Sequence, residues 1–252
     1  MSWEIQMRVK WTAILLAGLA AAPAAAQEVE EATPPVTISG GATLVSDYRF
    51  RGISQTDRRF AVQGTFTVAH ESGLYGTVWG SSIDDYVYNG ADQEIDLTLG
   101  YRRTFGGTTF DAGVLYYYYP GSGGISSDFF EPFVSVSHAF GPVTAKATAN
   151  YAPKQSALSV GAGKEDNLYL AADLGLAIPD TPVSFTAHLG HSFGPSYLTI
   201  GDEYTDWGVG ANLTHKNLTF GLAYVDTDGD FITPSGRNAA KAGIVASVGV
   251  AF

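Results

Sequence analysis

Several stretches of this chain set reactive residue types at spacings that chemistry uses. His70-Glu71-Ser72 places an imidazole and a hydroxyl two residues apart, so on a strand both would share a face and a base could take a proton from a nucleophile. The triplet falls at a predicted turn, with no evident third partner to orient the histidine, and the expectation is a turn rather than a hydrolase. Ser137-His138 and His191-Ser192 are adjacent pairs, which point to opposite faces of a strand and cannot meet locally. Asp226-Thr227-Asp228-Gly229-Asp230 opens like a calcium loop, but Phe231 stands where the sharp-turn glycine belongs and Arg237 where the bidentate glutamate belongs. A solvated acidic loop is the better reading. The five histidines have no metal-ligand spacing, and the absence of cysteine excludes thiol chemistry, disulfides and cysteine zinc sites. No catalytic residue, metal or cofactor is expected, and the chain is not read as an enzyme.

The elements that must position the remaining charged residues are strands. Of 252 residues, 30 are glycine, 13% are aromatic and only 15% are charged, with mean hydropathy +0.05. That composition excludes both a helical membrane bundle and a disordered chain, and fits a repetitive all-β protein. Twelve segments of period-two character run over about 37–50, 60–71, 74–83, 93–105, 108–119, 129–140, 143–151, 167–178, 183–193, 205–215, 218–226 and 241–252. In the eighth, Leu168, Leu170, Leu174 and Leu176 alternate with Tyr169, Asp173 and Gly175. In the fourth, Ile95, Leu97, Leu99 and Tyr101 alternate with Glu94, Asp96, Thr98 and Arg102.

Connections between the segments alternate strictly in length. Short ones (Ser72-Gly73, Gly106-Gly107, Gly141-Pro142, 179–182, Lys216-Asn217) are turn dipeptides or tight corners, and long ones lie at 51–59, 84–92, 120–128, 152–166, 194–204 and 227–240. Six long and five short connections put both chain ends on the short-turn side. A transmembrane up-and-down antiparallel barrel has that sorting, with short periplasmic turns and long extracellular loops; a soluble sandwich has no reason for it.

The two ends of the chain agree. Arg8 and Lys10 precede an apolar run at 11–19 and the small residues Ala24, Ala25 and Ala26, so residues 1–26 read as an export signal peptide too short to span a bilayer. Residues 27–36 read as an acidic periplasmic lead-in, and 37–252 as the barrel. Removing the signal takes away Glu4, Arg8 and Lys10, leaving the mature chain one charge more negative than the −11 of the full sequence. No basic patch for nucleic acid remains. Residues 241–252, KAGIVASVGVAF, end on an aromatic with apolar residues at alternate positions. A bare apolar last strand would be an aggregating edge in a soluble protein, so it is expected to close the ring against the first strand.

Ser46 to Asp57, SDYRFRGISQTD, resembles the opening motif of the TorF-type group of outer-membrane porins, and the terminal strand resembles the carboxy-terminal signature of bacterial outer-membrane barrels. The resemblance extends loosely from Ile38 to Phe252. It implies a barrel that is a pore in the bacterial outer membrane, and a final strand read by the barrel assembly machinery.

With the apolar face turned to lipid, the residues expected to line the lumen are Asp47, Arg49, Arg51, Asp96, Arg102, Asp111, Glu131, Lys146, Asp173, His188, Asp206 and Lys241. Tyr48, Phe50, Trp207 and Phe252 are expected in the interfacial girdle or as assembly contacts. Twelve strands imply a narrow lumen. Facing charges across it would favour small polar solutes or ions, with a mild preference for cations set by acidic outer loops. Lipid, lipopolysaccharide and small polar solutes are the expected partners, with the oligomeric state open. The competing expectation is a non-transporting barrel whose inward charges neutralise one another in a plugged core. Tyr117 and Tyr119 are expected either to anchor at the lipid interface or to face the lumen and stack sugars.

Overall fold

The computed structural model describes residues 35–252. The expected signal peptide and residues 27–34 of the lead-in lie outside the described residues. Alternation of bulky apolar with small or polar residues makes strands wherever it is sustained. They are β1 (Val36–Val45), β2 (Arg49–Phe50), β3 (Ile53–Ser54), β4 (Ala61–His70), β5 (Leu74–Ser82), β6 (Gln93–Phe105), β7 (Thr108–Tyr118), β8 (Phe129–Phe140), β9 (Val143–Val160), β10 (Gly163–Ala177), β11 (Val183–Phe193), β12 (Tyr204–His215), β13 (Leu218–Thr227) and β14 (Gly243–Ala251). One short 3-10 turn, Tyr197–Thr199, lies between β11 and β12.

All but the two-residue β2 and β3 pair antiparallel with their neighbours in chain order, and β1 pairs with both β4 and β14, so twelve strands close into a barrel. The chain ends complete the seam. Gly40 and Phe252 exchange backbone hydrogen bonds of 3.0 and 2.9 Å. Closure satisfies every strand's ladder and leaves no edge, which a sheet in hydrocarbon requires.

The wall is apolar outside. Ile38, Val62, Leu99, Val209, Leu222 and Ile244 are exposed, while on the opposite parity Gln63, Glu94, Asp96, Tyr169 and Asp173 are buried within the ring. Apolar residues facing outward on every strand and a charged interior define a membrane barrel. None of the described helices is long and apolar enough to cross a membrane.

Three sequence boundaries move. The first segment was expected to run to residue 50, but β1 stops at Val45 and the chain folds into the ring. The loop expected at 152–166 is mostly strand: β9 and β10 continue past the rim as a hairpin, with register shifts between Gly163 and Glu165 and between Glu165 and Asn167, and turn at Gly161. The last strand begins at Gly243 rather than 241, because Lys241 belongs to the sixth long loop. The short turns hold as expected. At the first, the Ser72 amide donates to His70 Nδ1 at 3.1 Å and the Ser72 hydroxyl accepts from the Leu74 amide, so this His-x-Ser pair caps a turn.

Candidate functional site: the barrel interior

The first long loop supplies the residues that meet in the middle of the ring. Its short strands β2 and β3 pair Phe50 with Ile53 around the two residues Arg51 and Gly52. Both have positive φ, 47° and 80°, the backbone of a two-residue hairpin whose twist matches its strands. Glycine is required at the second position twice over: for its φ, and because a Cβ there would stand 2.4 Å from Thr227 Cγ2 and 2.9 Å from Asp206 Cβ.

This tip crosses the lumen. In a ring of twelve, β9 lies opposite β1, and Arg51 reaches the strands flanking it. Its Nη2 donates to Glu131 Oε1 on β8 at 2.6 Å, and its Nη1 to Asn167 Oδ1 on β10 at 2.7 Å. The guanidinium lies 4.2 Å from the Tyr169 ring centroid and 4.8 Å from that of Phe50. Glu131 is fully buried and takes two further bonds, from Tyr117 Oη at 3.1 Å and Asn150 Nδ2 at 3.0 Å. Each carboxylate oxygen is therefore matched, the condition under which a buried ion pair is tolerated.

Around the tip, the long-loop end of the barrel is packed with apolar side chains. Val45, Tyr48, Ile83, Val87, Tyr88, Tyr117, Tyr119, Phe129 and Leu158 form one buried cluster, drawn from the walls and from the first, second and third long loops. Tyr117 stacks on Phe129 at 4.3 Å, and Tyr88 contacts Tyr119 and Tyr197 at 4.2 and 4.7 Å.

Beside and below the tip the interior is polar. His188 Nδ1 is 2.6 Å from Asp173, and its Nε2 is 2.9 Å from Asp206 Oδ1, which also accepts from Tyr169 Oη. Tyr169 can lie flat here because Gly190 faces it; a Cβ on Gly190 would stand 2.0 Å from the Tyr169 hydroxyl. Nearer the short turns, Arg102 grips Asp111 through Nε and Nη2 at 2.8 and 2.6 Å, and Tyr75 Oη donates to the same carboxylate at 2.9 Å. Lys146 is half-buried on the same wall, in register with Asp173. The remaining inward positions include Thr67, Thr77, Thr98, Thr148 and Thr186, all partly accessible. Both ring nitrogens of His188 are engaged by carboxylates, so none is left to act as a base toward a substrate. Among the described residues, no cluster of three His, Asp or Glu side chains could hold a metal ion. The three aspartates of the acidic loop serve local structure: Asp226 and Asp228 accept from the amides of Thr227 and Thr205, and Asp230 from Asn238.

Of the twelve residues expected at the lumen, the structure brings Arg51, Asp96, Glu131, Asp173, His188 and Asp206 together in mid-barrel, and Arg102, Asp111 and Lys146 below them. The other three sit elsewhere. Asp47 and Arg49 pair with each other at 2.6 Å, and Arg49 also donates to the carbonyls of Gly52, Ala239 and Lys241. They tie down the base of the loop instead of lining a passage. Lys241 is exposed at the mouth. Two girdle expectations are corrected: Tyr48 donates to Glu94 inside the ring at 3.1 Å, and Phe50 packs edge-on against Tyr117 at 6.0 Å. Extrapolating strand parity past Val45 fails because the chain leaves the sheet at Ser46, whose hydroxyl accepts the Ala246 amide. Trp207 lies partly buried on the outward parity of β12, and Phe252 is exposed at the seam. Tyr117 and Tyr119 are buried in the apolar cluster, where they offer no face to a sugar. Sequence reasoning passed over Glu94, Asn150, Asn167 and Tyr75. Glu94 shares the inward parity of Asp96 and was left out of the lumen set, and a search for charged residues alone loses the neutral polar ones.

Closed, apolar-walled and polar within, the chain is a membrane β-barrel of porin-like architecture. It belongs to the family described as "Bacterial protein of unknown function (Gcw_chp)", whose model matches residues 29–252. No curated protein matches it at a significant level. Among solved structures, it is similar to the NanC porin, with a TM-score of 0.59 at 11% identity over 86% of this chain and 99% of that one. It is also similar to the KdgM porin in complex with disordered oligogalacturonate, with a TM-score of 0.53 at 8% identity over 85% and 97% of the two chains. At these identities the likeness is one of fold.

Proposed function

We propose that this protein is a bacterial outer-membrane porin that passes small hydrophilic solutes or ions by diffusion through a narrow charged lumen, and that it is not an enzyme. One observation carries the reading. The interior below the first loop is lined by hydroxyl, guanidinium, ammonium and imidazole groups that keep contact with solvent, behind a wall whose outer face is apolar. A barrel that served only as a scaffold would gain stability by filling that space with apolar side chains, as its own long-loop end does. The fold shared with porins supports the reading. So does His188, whose two ring nitrogens are already engaged. Exposed Asp85, Asp92, Asp202, Glu203, Asp228 and Asp230 at the outer mouth would concentrate cations and set a mild cation preference. They would also lie beside lipopolysaccharide phosphates, and the terminal β14 with Phe252 is the segment offered to the assembly machinery.

A second reading, a structural barrel that transports nothing, is favoured by the Arg51 crossing of the lumen. Liposome swelling separates the two. Barrels reconstituted into vesicles should swell in isotonic small sugars or amino acids at rates that fall with solute size. Vesicles that keep their size in every solute, with the first loop shortened as well as intact, leave only the scaffold.

A further inference from the structure

We propose that the first long loop is a gate: the hairpin tipped by Arg51 and Gly52 is a removable plug, held against the far wall by a latch of matched polar contacts. This rests on the porin reading above. Three independent features point to it. The first is how the tip is held. Residues 46–60 leave the wall after β1 and return at β4, which is paired directly to β1 along its whole length. The loop therefore contributes nothing to the closed ladder of the barrel, and withdrawing it breaks no strand pairing. Its polar grip on the opposite wall is concentrated in Arg51, which meets Glu131 and Asn167 at 2.6 and 2.7 Å, beside the apolar contacts of Tyr48 and Phe50 with the cluster around Tyr117.

The second feature is that the plugged state leaves polar groups stranded. Asp96 Oδ1 and Tyr204 Oη on the wall, and Arg58 Nε on the loop itself, are buried with no hydrogen-bonding partner in the protein. Each such group opposes folding for as long as it is kept from water, the more so if charged. Admitting water by withdrawing the tip relieves that cost and so offsets part of the lost Arg51 contacts.

The third is an outer tether at the point where the loop turns back. Asp57 and Arg58, where the loop turns back towards β4, both have positive φ, 49° and 59°. Asp57 is clasped by Thr233, Ser235 and Arg237 of the sixth long loop at 2.8, 3.0 and 2.8 Å. The plug is therefore tied to an outer loop that reaches solvent, so that a ligand or charge acting there is mechanically connected to the lumen.

The chain has no cysteine, so the tip can be locked by an introduced pair, Arg51→Cys with Asn167→Cys, oxidised through a bifunctional thiosulfonate that spans the gap left by the arginine and is released on reduction. Single-channel conductance in planar bilayers is recorded for the wild type, the pair oxidised and then reduced, Arg51→Ala, and a variant with residues 48–57 replaced by a short Gly-Ser turn. The gate predicts brief low-conductance openings in the wild type and their abolition when the pair is oxidised, with recovery on reduction. It also predicts a severalfold rise in open time or conductance for Arg51→Ala and for the shortened loop. If the barrel conducts equally with the tip locked, free or deleted, the gate is wrong and the porin reading stands. If even the shortened loop gives no conductance while the barrel runs folded on a gel, the porin reading fails and takes the gate with it.

Discussion

At the long-loop end of the barrel, Phe129 is 1% exposed and stacks on Tyr117; at the short-turn end, the Arg102 side chain keeps 47% of its surface in solvent although it also points into the ring. Both residues lie on strands of the same closed sheet and obey the same inward parity. The difference comes from what fills the space between the walls. Twelve strands enclose more volume than their own side chains occupy, so the loops that fold back decide which level is packed and which is wet. Long connections at one end supply Tyr48, Ile83, Val87, Tyr88 and Tyr119 to the packed level. Short turns of two to five residues at the other end supply nothing to the interior. Loop length, a feature of the sequence, thus becomes a vertical gradient of burial.

The contrast is broken or sharpened by substitutions at matched levels. The largest effect is expected from Phe129→Ala, which opens a cavity in the apolar cluster and should cost about 3–5 kcal/mol. Thr148→Ala at the wet level should stay within about 0.5 kcal/mol. Urea titration followed by the gel shift between folded and unfolded barrel reads both, and equal costs would erase the distinction between the two halves. Next, Leu99→Arg puts a charge on the lipid face at a position 65% exposed and should cost about 2–4 kcal/mol near the bilayer midplane. Its neighbour Thr98→Arg, facing the wet lumen, should be far milder. Similar losses at the two positions would mean that the wall does not face hydrocarbon.

A smaller effect concerns the loop tether. Burial opposes ionisation of Asp57, but hydrogen bonds from Thr233, Ser235 and Arg237 outweigh it and hold the carboxyl below its ordinary value. A lowered folded pKa contributes stability that is present above about pH 4, the ordinary value, and is lost as pH falls through the folded one. Limited proteolysis should therefore cut the first loop faster below about pH 4 than at about pH 5 to 7, and Asp57→Asn should raise cutting across that upper range and flatten the dependence. A loop whose cutting ignores pH would remove Asp57 from the tether. The smallest effect is Arg102→Gln. Its pairing with Asp111 is half in water, where such bridges contribute about 0–1 kcal/mol, so stability should barely move while ion selectivity shifts towards cations. A loss comparable to that of Phe129→Ala would show the short-turn half to be as tightly packed as the other.

Much of the fold was legible because each strand reports two faces with period two. Leu168, Leu170 and Leu174 against Tyr169 and Asp173 need no tertiary information to be sorted. The candidate site was legible only where its members sit on those strands. Asp96, Glu131, Asp173, His188 and Asp206 follow from parity, whereas the inward turn at Ser46 leaves no periodic trace, and carrying the pattern forward sent Tyr48 and Phe50 to the wrong side. The hairpin of β9 and β10 was hidden for a related reason: its register shifts break the alternation that would have marked it.

By itself the sequence determined how many strands form the barrel, which side chains of those strands look outward, and that the ring closes between the first strand and the last. Those are consequences of local periodicity and of the need to pair every backbone group in lipid. Only the tertiary structure decided that Arg51 spans the lumen to Glu131 and Asn167, 80 and 116 residues away in sequence. A long-range ion pair leaves no local signature, because its partners are chosen by the shape of the space that the other loops leave behind.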